Sequence, residues 1–278
     1  ALLLDSVTQA EAPLIIPALG ENDWTELPAL ILPTILRFFK NFGSFEDARA
    51  IEPLCRHPDP WVISAAIETL EKISPDSLKN LIIPLLDNPS QGIRSRVARL
   101  LYRWDPPEAI HQLEQLLFSE DPEERSASIF NAIFFPFPEI EPLLVQFLSL
   151  EEIPSLIFKA GLLFQANPSP AEPLRLLELR AACRGEKRRF IDEILQGVLT
   201  ALHQTGMVQK TPEELSAELG EIFHRRKALQ MIDMLQIALN ATDPSTRLDV
   251  VKRLSSFTNK AFFGHIREIL ANHVTRES

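Results

Sequence analysis

The residues of this sequence best suited to bind another molecule are two clusters of cationic side chains in its C-terminal part. Their members are Arg180, Arg184, Lys187, Arg188, Arg189, Arg225, Arg226 and Lys227. Guanidinium and ammonium groups hold carboxylates and phosphates through charge-assisted hydrogen bonds. If the helices that carry the clusters are neighbours, they form one positive surface for an acidic peptide, a phosphate group or an anionic membrane. The alternative is a pair of solvated helix faces, neutralised by nearby acids such as Glu186 and Glu221.

Two smaller sets of residues are further candidates for contact with a partner. Arg96, Arg99 and Arg103 lie at i, i+3 and i+7, which places them on one face of a helix. Phe42 and Phe137 fall in predicted connections, where an exposed phenylalanine is an apolar anchor for an interface. We expect the other phenylalanines near 38–45 and 130–137 to fill the core between helices.

Residue patterns that carry catalysis are missing from the sequence. It has no glycine-rich phosphate loop, no Gly-x-Ser-x-Gly and no His-Glu-x-x-His, and its six histidines share no ligand spacing. Cys55 and Cys183 match no metal or redox spacing and sit in apolar runs, as buried small side chains do. We therefore predict a protein that is not an enzyme and has no metal site and no cofactor.

A sequence pattern that recurs along the chain predicts the helices that position these residues. An apolar run ends at an Asp/Asn-Pro break, and a second run follows; the breaks contain Pro60, Pro89 and Pro122, which are 29 and 33 residues apart. A period in this range is typical of stacked supersecondary units. The 22 prolines against 9 glycines favour helix starts and stops over hairpin turns. The sequence thus predicts an all-α chain, a right-handed α-solenoid of about seven to eight antiparallel helix pairs.

Hydrophobic period and capping residues place the individual pairs. Helices are predicted near 10–19 and 24–40, on both sides of Asp59-Pro60, on both sides of Asn88-Pro89, and near 106–118 and 122–134, 138–149 and 151–166, 170–183 and 186–204, and 244–256 and 260–273. The stretch 205–240 fits this period poorly, although Thr211-Pro212 is a capping-type helix start. We expect an insertion or an atypical unit there.

The turns resemble those of a known family, the HEAT repeats, whose units are two antiparallel helices joined by a turn with Asp-Pro and a following Arg. Asp121-Pro122 with Arg125 and Asp243-Pro244 with Arg247 keep the same four-residue offset, and Asp87 with Arg94 is a stretched version. The resemblance is strong over about 46–166. In arrays of this family the second helix of each pair commonly faces the concave side, which makes the stripe of Arg96, Arg99 and Arg103 a second candidate contact surface. The resemblance to HEAT repeats also implies that the protein is an interaction scaffold.

The repeated Asp and Arg residues have a physical explanation as well. An Asp beside the turn accepts hydrogen bonds from the first N–H groups of the next helix and suits the helix dipole. An Arg one turn later has the reach to bind the Asp of its own or of the adjacent unit. We therefore predict a structural ladder at the turns.

Charge is distributed unevenly over what we predict to be a single solenoid domain, residues 1–278. Residues 1–170 hold 12 Lys and Arg against 24 Asp and Glu, and residues 171–278 hold 16 against 14. The acidic part repels phosphate backbones, so we expect no nucleic-acid partner. The sequence contains no run of 18 apolar residues, so it predicts no transmembrane segment. The start is unlike a signal peptide, which together with the cysteines indicates the cytoplasm.

Our leading functional hypothesis is a non-catalytic scaffold that binds a protein partner or another domain of the same chain. The chain begins at Ala1 without an initiator methionine, so we expect it to be a segment of a larger bacterial protein, with a membrane surface or a membrane protein among its possible contacts. The alternatives are enzymes on the same scaffold: a bilin lyase or tetrapyrrole chaperone, or a DNA glycosylase for alkylated bases, whose groove uses Trp. Trp24, Trp61 and Trp104 are the residues to examine for the last.

Overall fold

The protein is all-α, as predicted. The computed structural model describes residue 4, residues 7–20, residues 23–240, and residues 243, 245, 248 and 249; in these the regular elements are helices, without a strand. The predicted last pair, 244–256 and 260–273, falls almost entirely outside the described residues. The handedness and the number of helix pairs stay predictions.

The first of two compact units spans Ala1–Phe147 and contains the regular helix pairs. Its helices are α1 (Ala12–Gly20), α2 (Leu32–Phe42), α3 (Ala48–Ile51), α4 (Pro60–Ile73), α5 (Pro75–Ile82), α6 (Gln91–Leu101), α7 (Pro106–Leu117), α8 (Pro122–Ala132) and most of α9 (Phe137–Leu150). Short 3-10 helices at Glu52–Arg56 and Ile83–Asp87 prolong α3 and α5, and two more lie at Trp24–Glu26 and Phe45–Asp47.

The second unit, Leu148–Ser278, is built from longer helices. They are α10 (Pro154–Ala166), α11 (Glu172–Ala182), α12 (Gly185–Gln204) and α13 (Pro212–Asn240). The capping-type start at Thr211 is confirmed, since the Glu214 carboxylate accepts the Thr211 N–H at 2.9 Å while the Thr211 hydroxyl accepts the Glu214 N–H at 3.3 Å. The poorly periodic stretch 205–240 is therefore mostly one helix of 29 residues.

The Asp-Pro turns start helices in the predicted way. Asp59 Oδ1 accepts the N–H of Trp61 at 2.9 Å, and Asp121 Oδ1 accepts the N–H of Glu123 at 2.9 Å. The proline after each Asp takes the first helical position, where its missing N–H costs nothing. Gln91 of the preceding pair donates to Asp121 Oδ2 at 2.8 Å, and this bond is the main reason why the pKa of Asp121 lies below its ordinary value.

The prediction that the turn arginine binds an Asp is wrong at Arg94. Its Nε donates to Glu124 Oε1 of the next helix pair at 2.7 Å, and its guanidinium also donates to Glu124 through a second nitrogen and to the Asn88 carbonyl oxygen. Arg125 likewise donates to the carbonyl oxygens of its own turn, Ser119 at 2.8 Å and Glu120 at 3.0 Å. The arginines thus satisfy carbonyl oxygens of the turn before their own helix, and Arg94 ties two successive pairs together.

Each unit is closed by helices that pack side by side. In the first unit the buried Thr69 hydroxyl on α4 donates to the Leu36 carbonyl oxygen on α2 at 3.0 Å. In the second unit α10 packs against α12 at Gly161, where an added Cβ would lie 2.5 Å from Cγ1 of Ile194. A larger residue at this position would force the buried Ile194 side chain to shift, at a cost in stability.

Candidate partner-binding surfaces

Two of the three arginines in the predicted stripe, Arg96 and Arg99, form ion pairs within the protein. Arg96 pairs with Glu68 of α4 at 2.6 Å and donates to the Ser64 carbonyl oxygen at 3.1 Å. Arg99 pairs with Glu71 at 2.9 Å, and its side chain is only 17% exposed. Arg103, beyond the end of α6, is exposed and lies 5.7 Å from the ring centroid of Trp104. Of the three arginines, Arg103 is therefore the one most available to a partner.

A three-residue ion-pair chain crosses helices α2, α4 and α6. Glu68 accepts from Arg96 and also pairs with Lys40 at 3.1 Å. Desolvation acts to raise the pKa of Glu68, but the hydrogen bonds and charges of Arg96 and Lys40 outweigh it and hold that pKa below its ordinary value of 4.5. The ionised form of Glu68 is thus favoured in the folded state. The ion pairs of Lys40, Glu68 and Arg96 link three successive helix pairs.

Replacement of Glu68 by glutamine tests this chain through its pH dependence. Because the folded pKa is lowered, the carboxylate stabilises the fold fully above its ordinary pKa of 4.5 and loses that effect as the pH falls through the folded pKa. We expect Glu68→Gln to lower the free energy of unfolding by up to about 1 kcal/mol at pH 7, and the difference to vanish on acidification. Urea unfolding of both proteins between pH 7 and pH 3 measures it. A difference that grows in acid contradicts this assignment.

The two phenylalanines predicted as exposed anchors are not exposed. Phe137 is the first residue of α9 and is buried at 9% exposure, so it does not lie in an open connection. Phe42 is the last residue of α2, is half-buried, and packs on Phe38 with ring centroids 5.2 Å apart. Both side chains belong to the packing between helices.

Exposed aromatic residues occur instead at the end of α8, where the sequence predicted core. Phe130 is 68% exposed, and Ile133 and Phe134, just beyond the helix end, are 54% and 53% exposed. The Arg99 guanidinium lies 4.7 Å from the centroid of the Phe134 ring, which is cation–π distance. Three large apolar side chains within five positions form a patch of the kind found at protein interfaces.

Comparison with known proteins agrees with this architecture. The family model of HEAT repeats matches residues 48–133. This segment is similar to HEAT repeats, and we call it the HEAT-repeat segment. The match covers helices α3 to α8, with the turns at Asp59-Pro60 and Asp121-Pro122, the Arg94–Glu124 pair and the aromatic end of α8. No curated protein sequence matches the chain.

Outside the HEAT-repeat segment, α11, α12 and α13 carry the predicted basic clusters. Arg226 of α13 lies 3.4 Å from Glu178 near the C-terminus of α11, and Arg184 precedes the first residue of α12 directly after α11. This ion pair brings the middle of α13 to the same end of α11 at which α12 begins. The helices that carry the two clusters are therefore neighbours, which the sequence had left open.

Not all members of the clusters face solvent. Lys187 donates to the Ser149 carbonyl oxygen at 2.7 Å, pairs with Glu152 at 3.1 Å, and is only 11% exposed. Arg180 is ion-paired with Asp192 of α12. Lys227 donates to Gln230 at 3.1 Å and lies over the Phe223 ring at 5.7 Å. These three cations serve the packing of the second unit more than an external partner.

The remaining five arginines form what we call the basic surface. They are all exposed; its members are Arg184, Arg188, Arg189, Arg225 and Arg226. Arg189 lies 3.6 Å from Glu193 on its own helix with 69% of its side chain exposed, so this pair is weak. Within the described part of the chain, Arg184, Arg188 and Arg225 have no carboxylate at ion-pair distance.

Other functional groups are sparse in the part of the chain that the structure describes. Burial raises the pKa of the Cys55 thiol to about 12. No cluster of three or more His, Cys, Asp or Glu side chains there is arranged to hold a metal ion. None of the helices in that part is both long and apolar enough to cross a bilayer. Trp24, considered for a base-binding groove, is buried and donates to the Leu19 carbonyl oxygen at 2.8 Å.

Proposed function

We propose that this protein is a non-catalytic interaction scaffold whose basic surface binds an acidic segment of a protein partner or of another domain of the same chain. HEAT repeats typically mediate protein interactions, and the matched segment supports that class of function. The observation that carries the proposal is that Arg184, Arg188 and Arg225 are exposed and, among the described residues, have no carboxylate at ion-pair distance. The free cysteines are in keeping with the cytoplasm as its compartment.

The chemistry of the basic surface favours a peptide over a membrane. Ile222 and Leu229 are exposed on α13 one turn before and one turn after Arg225 and Arg226, so apolar contacts flank the charges. Exposed Glu186 and Glu221 lie among the arginines and would repel an anionic lipid surface. A peptide with alternating acidic and apolar residues avoids that repulsion, because it places each carboxylate against a single guanidinium.

Selection from a random-peptide phage library against the 278-residue chain tests the proposal. We expect the selected peptides to be rich in Asp and Glu next to apolar residues. The double variant Arg188→Glu/Arg225→Glu is expected to weaken their binding at least about tenfold, because it replaces two attractions by repulsions. Isothermal titration calorimetry with synthetic peptides measures the change.

A matched control keeps the net charge of the double variant and moves the change elsewhere. Arg49 and Arg56 are exposed in the first unit, and Arg49→Glu/Arg56→Glu is expected to leave peptide binding intact. Equal losses in the two double variants would mean that net charge, not the basic surface, decides binding. Preferential binding to phosphatidylserine vesicles or to duplex DNA over acidic peptides would also contradict the proposal.

A further inference from the structure

One side of α13 exposes a continuous row of side chains. At about 3.6 residues per turn, six positions of this helix fall within about 100° of its circumference. All six are exposed, and we call them the α13 stripe; they are Glu218, Ile222, Arg225, Arg226, Leu229 and Asp233. Because they belong to one helix, their order and spacing follow from the geometry of that helix alone.

The α13 stripe is symmetric in its chemistry about the midpoint between its two arginines. Ile222 and Leu229 lie three residues outside the arginines, and Glu218 and Asp233 lie four residues further out. At about 1.5 Å per residue, the two apolar side chains are about 10 Å apart along the axis and the two acids about 22 Å apart. A complementary partner therefore presents acids at its centre, apolar groups on both sides of them, and a cation beyond the apolar groups.

The charges of the stripe differ in how far the protein itself satisfies them. Glu218 pairs with Lys210 at 2.6 Å. Arg226 lies 3.4 Å from Glu178 with 57% of its side chain exposed, so this pair is weak. Among the residues that the structure describes, none of opposite charge lies at ion-pair distance from Arg225 or Asp233. The central cations and the acid at Asp233 are thus the charges most open to a partner.

The spacing of the stripe matches an α-helix better than an extended chain. On a facing helix, apolar residues about 10 Å apart are two turns apart and share one side, and the intervening turn places two residues opposite the arginines. Side chains on one side of an extended chain repeat about every 6.7 Å, so neither the first nor the second repeat meets a spacing of about 10 Å. Only the helical period brings apolar and acidic groups into register together.

We propose that the α13 stripe binds an amphipathic α-helix of the partner. This helix carries two successive acidic residues, an apolar residue three positions before and another three positions after them, and Lys or Arg four positions further on, facing Asp233. The inference rests on the proposed function and specifies the conformation and residue spacing of the acidic segment. A second α13 centred on the same midpoint fits worse, because it would place arginine against arginine and acid against acid.

Isothermal titration calorimetry of the full chain with two synthetic peptides of equal composition tests the inference. The first peptide carries Lys, Leu, Glu-Glu, Leu and Lys at the spacings of the stripe, on a background of Ala and Gln that favours a helix. Its pattern reads the same in both directions, so it fits either orientation. The second peptide has the same residues with Leu and Glu in strict alternation. We expect the first to bind at least about tenfold more tightly and to gain helical circular dichroism on binding.

Variants of the stripe locate the bound helix. Ile222→Gln/Leu229→Gln is expected to weaken binding of the first peptide at least about tenfold, because both apolar contacts are lost. Asp233→Lys is expected to weaken it about threefold. The matched control is Ile237→Gln, which changes a 54% exposed side chain of α13 beyond the stripe and is expected to leave the affinity unchanged. Thermal unfolding followed by circular dichroism checks that each variant is folded.

The outcomes separate this inference from the proposed function. Equal affinity for the two peptides, or binding of other acidic peptides but not of the helical one, overturns the helix and leaves the acidic partner standing. Failure of every acidic peptide overturns both. An affinity that Ile222→Gln/Leu229→Gln leaves unchanged overturns the α13 stripe as the site. A dimer in sedimentation equilibrium that the same variant dissociates would assign the stripe to a second copy and overturn the inference.

Discussion

Replacement of Glu124 by alanine is expected to lower the free energy of unfolding by about 3 kcal/mol. Glu124 accepts hydrogen bonds from the Arg94 guanidinium and, at 2.5 Å, from the Ser119 hydroxyl. The side chains of Arg94 and Glu124 are only 22% and 11% exposed, so the variant leaves a cation with little access to water. Chemical unfolding with urea measures the loss.

The neighbouring Glu123 supplies the matched control. It is exposed on the same helix, and Glu123→Ala is expected to cost under about 1 kcal/mol, mainly through the helix dipole. In a double-mutant cycle with Arg94→Ala, we expect Arg94 and Glu124 to be coupled by about 1–3 kcal/mol. A Glu124→Ala variant as stable as Glu123→Ala would show that this pair does not hold the repeats together.

Replacement of Gly161 by alanine is the second large expected effect, a net loss of up to about 2 kcal/mol. The new Cβ would stand 2.5 Å from Cγ1 and 2.7 Å from Cδ1 of Ile194, which is buried and branched. Overpacking of this kind costs about 1–3 kcal/mol, and the better helix propensity of alanine returns about 1 kcal/mol of it. Thermal and urea unfolding measure the difference.

Two other glycines, Gly220 and Gly197, serve as control positions for the Gly161 substitution. Gly220 in α13 has nothing within 4 Å of an added Cβ, so Gly220→Ala is expected to stabilise the protein by about 0.5–1 kcal/mol. At Gly197 the added Cβ would meet the end of the Gln165 side chain, which is half-buried and can swing away, so we expect a change near zero. The order 220, 197, 161 from gain to loss is the expected result, and a stabilised Gly161→Ala variant contradicts the close packing of α10 and α12.

Features that depend on neighbours in sequence were predictable. The Asp-Pro turns place helix starts because a capping carboxylate and a proline act on N–H groups one to three residues away. The capping box at Thr211 was found for the same reason. A local rule could not identify the partner of Arg94, because Glu124 is 30 residues away and belongs to the next helix pair.

The sequence was not sufficient to predict which phenylalanine side chains are exposed and which are buried. Helical spacing indicates that Phe130 and Phe134 share a face, but not whether another helix covers that face. Phe137 was assigned to a connection, but the chain turns at Pro136 and α9 begins at Phe137, whose side chain is therefore packed. The exposure of a side chain is set by how whole helices pack, so it cannot be predicted from the hydrophobic period of a single helix.

The basic surface was predicted in part. Clustering of arginines in the sequence pointed to α12 and α13, but whether the two helices are neighbours was left open by the sequence. Which cations are neutralised depends on distant acids: Lys187 pairs with Glu152, 35 residues away, and Arg226 with Glu178, 48 residues away. The sequence alone therefore could not separate the packed cations from the exposed ones.

The affinity of one acidic, partly apolar peptide for three forms of the full chain tests the central claim most directly. The forms are the wild type, Arg188→Glu/Arg225→Glu, and the control Arg49→Glu/Arg56→Glu, measured by calorimetry at two salt concentrations. We predict binding that weakens with salt and falls at least about tenfold in the Arg188/Arg225 variant alone. Binding that is equal in all three forms, or absent from the wild type, would contradict a scaffold that captures its partner on the basic surface.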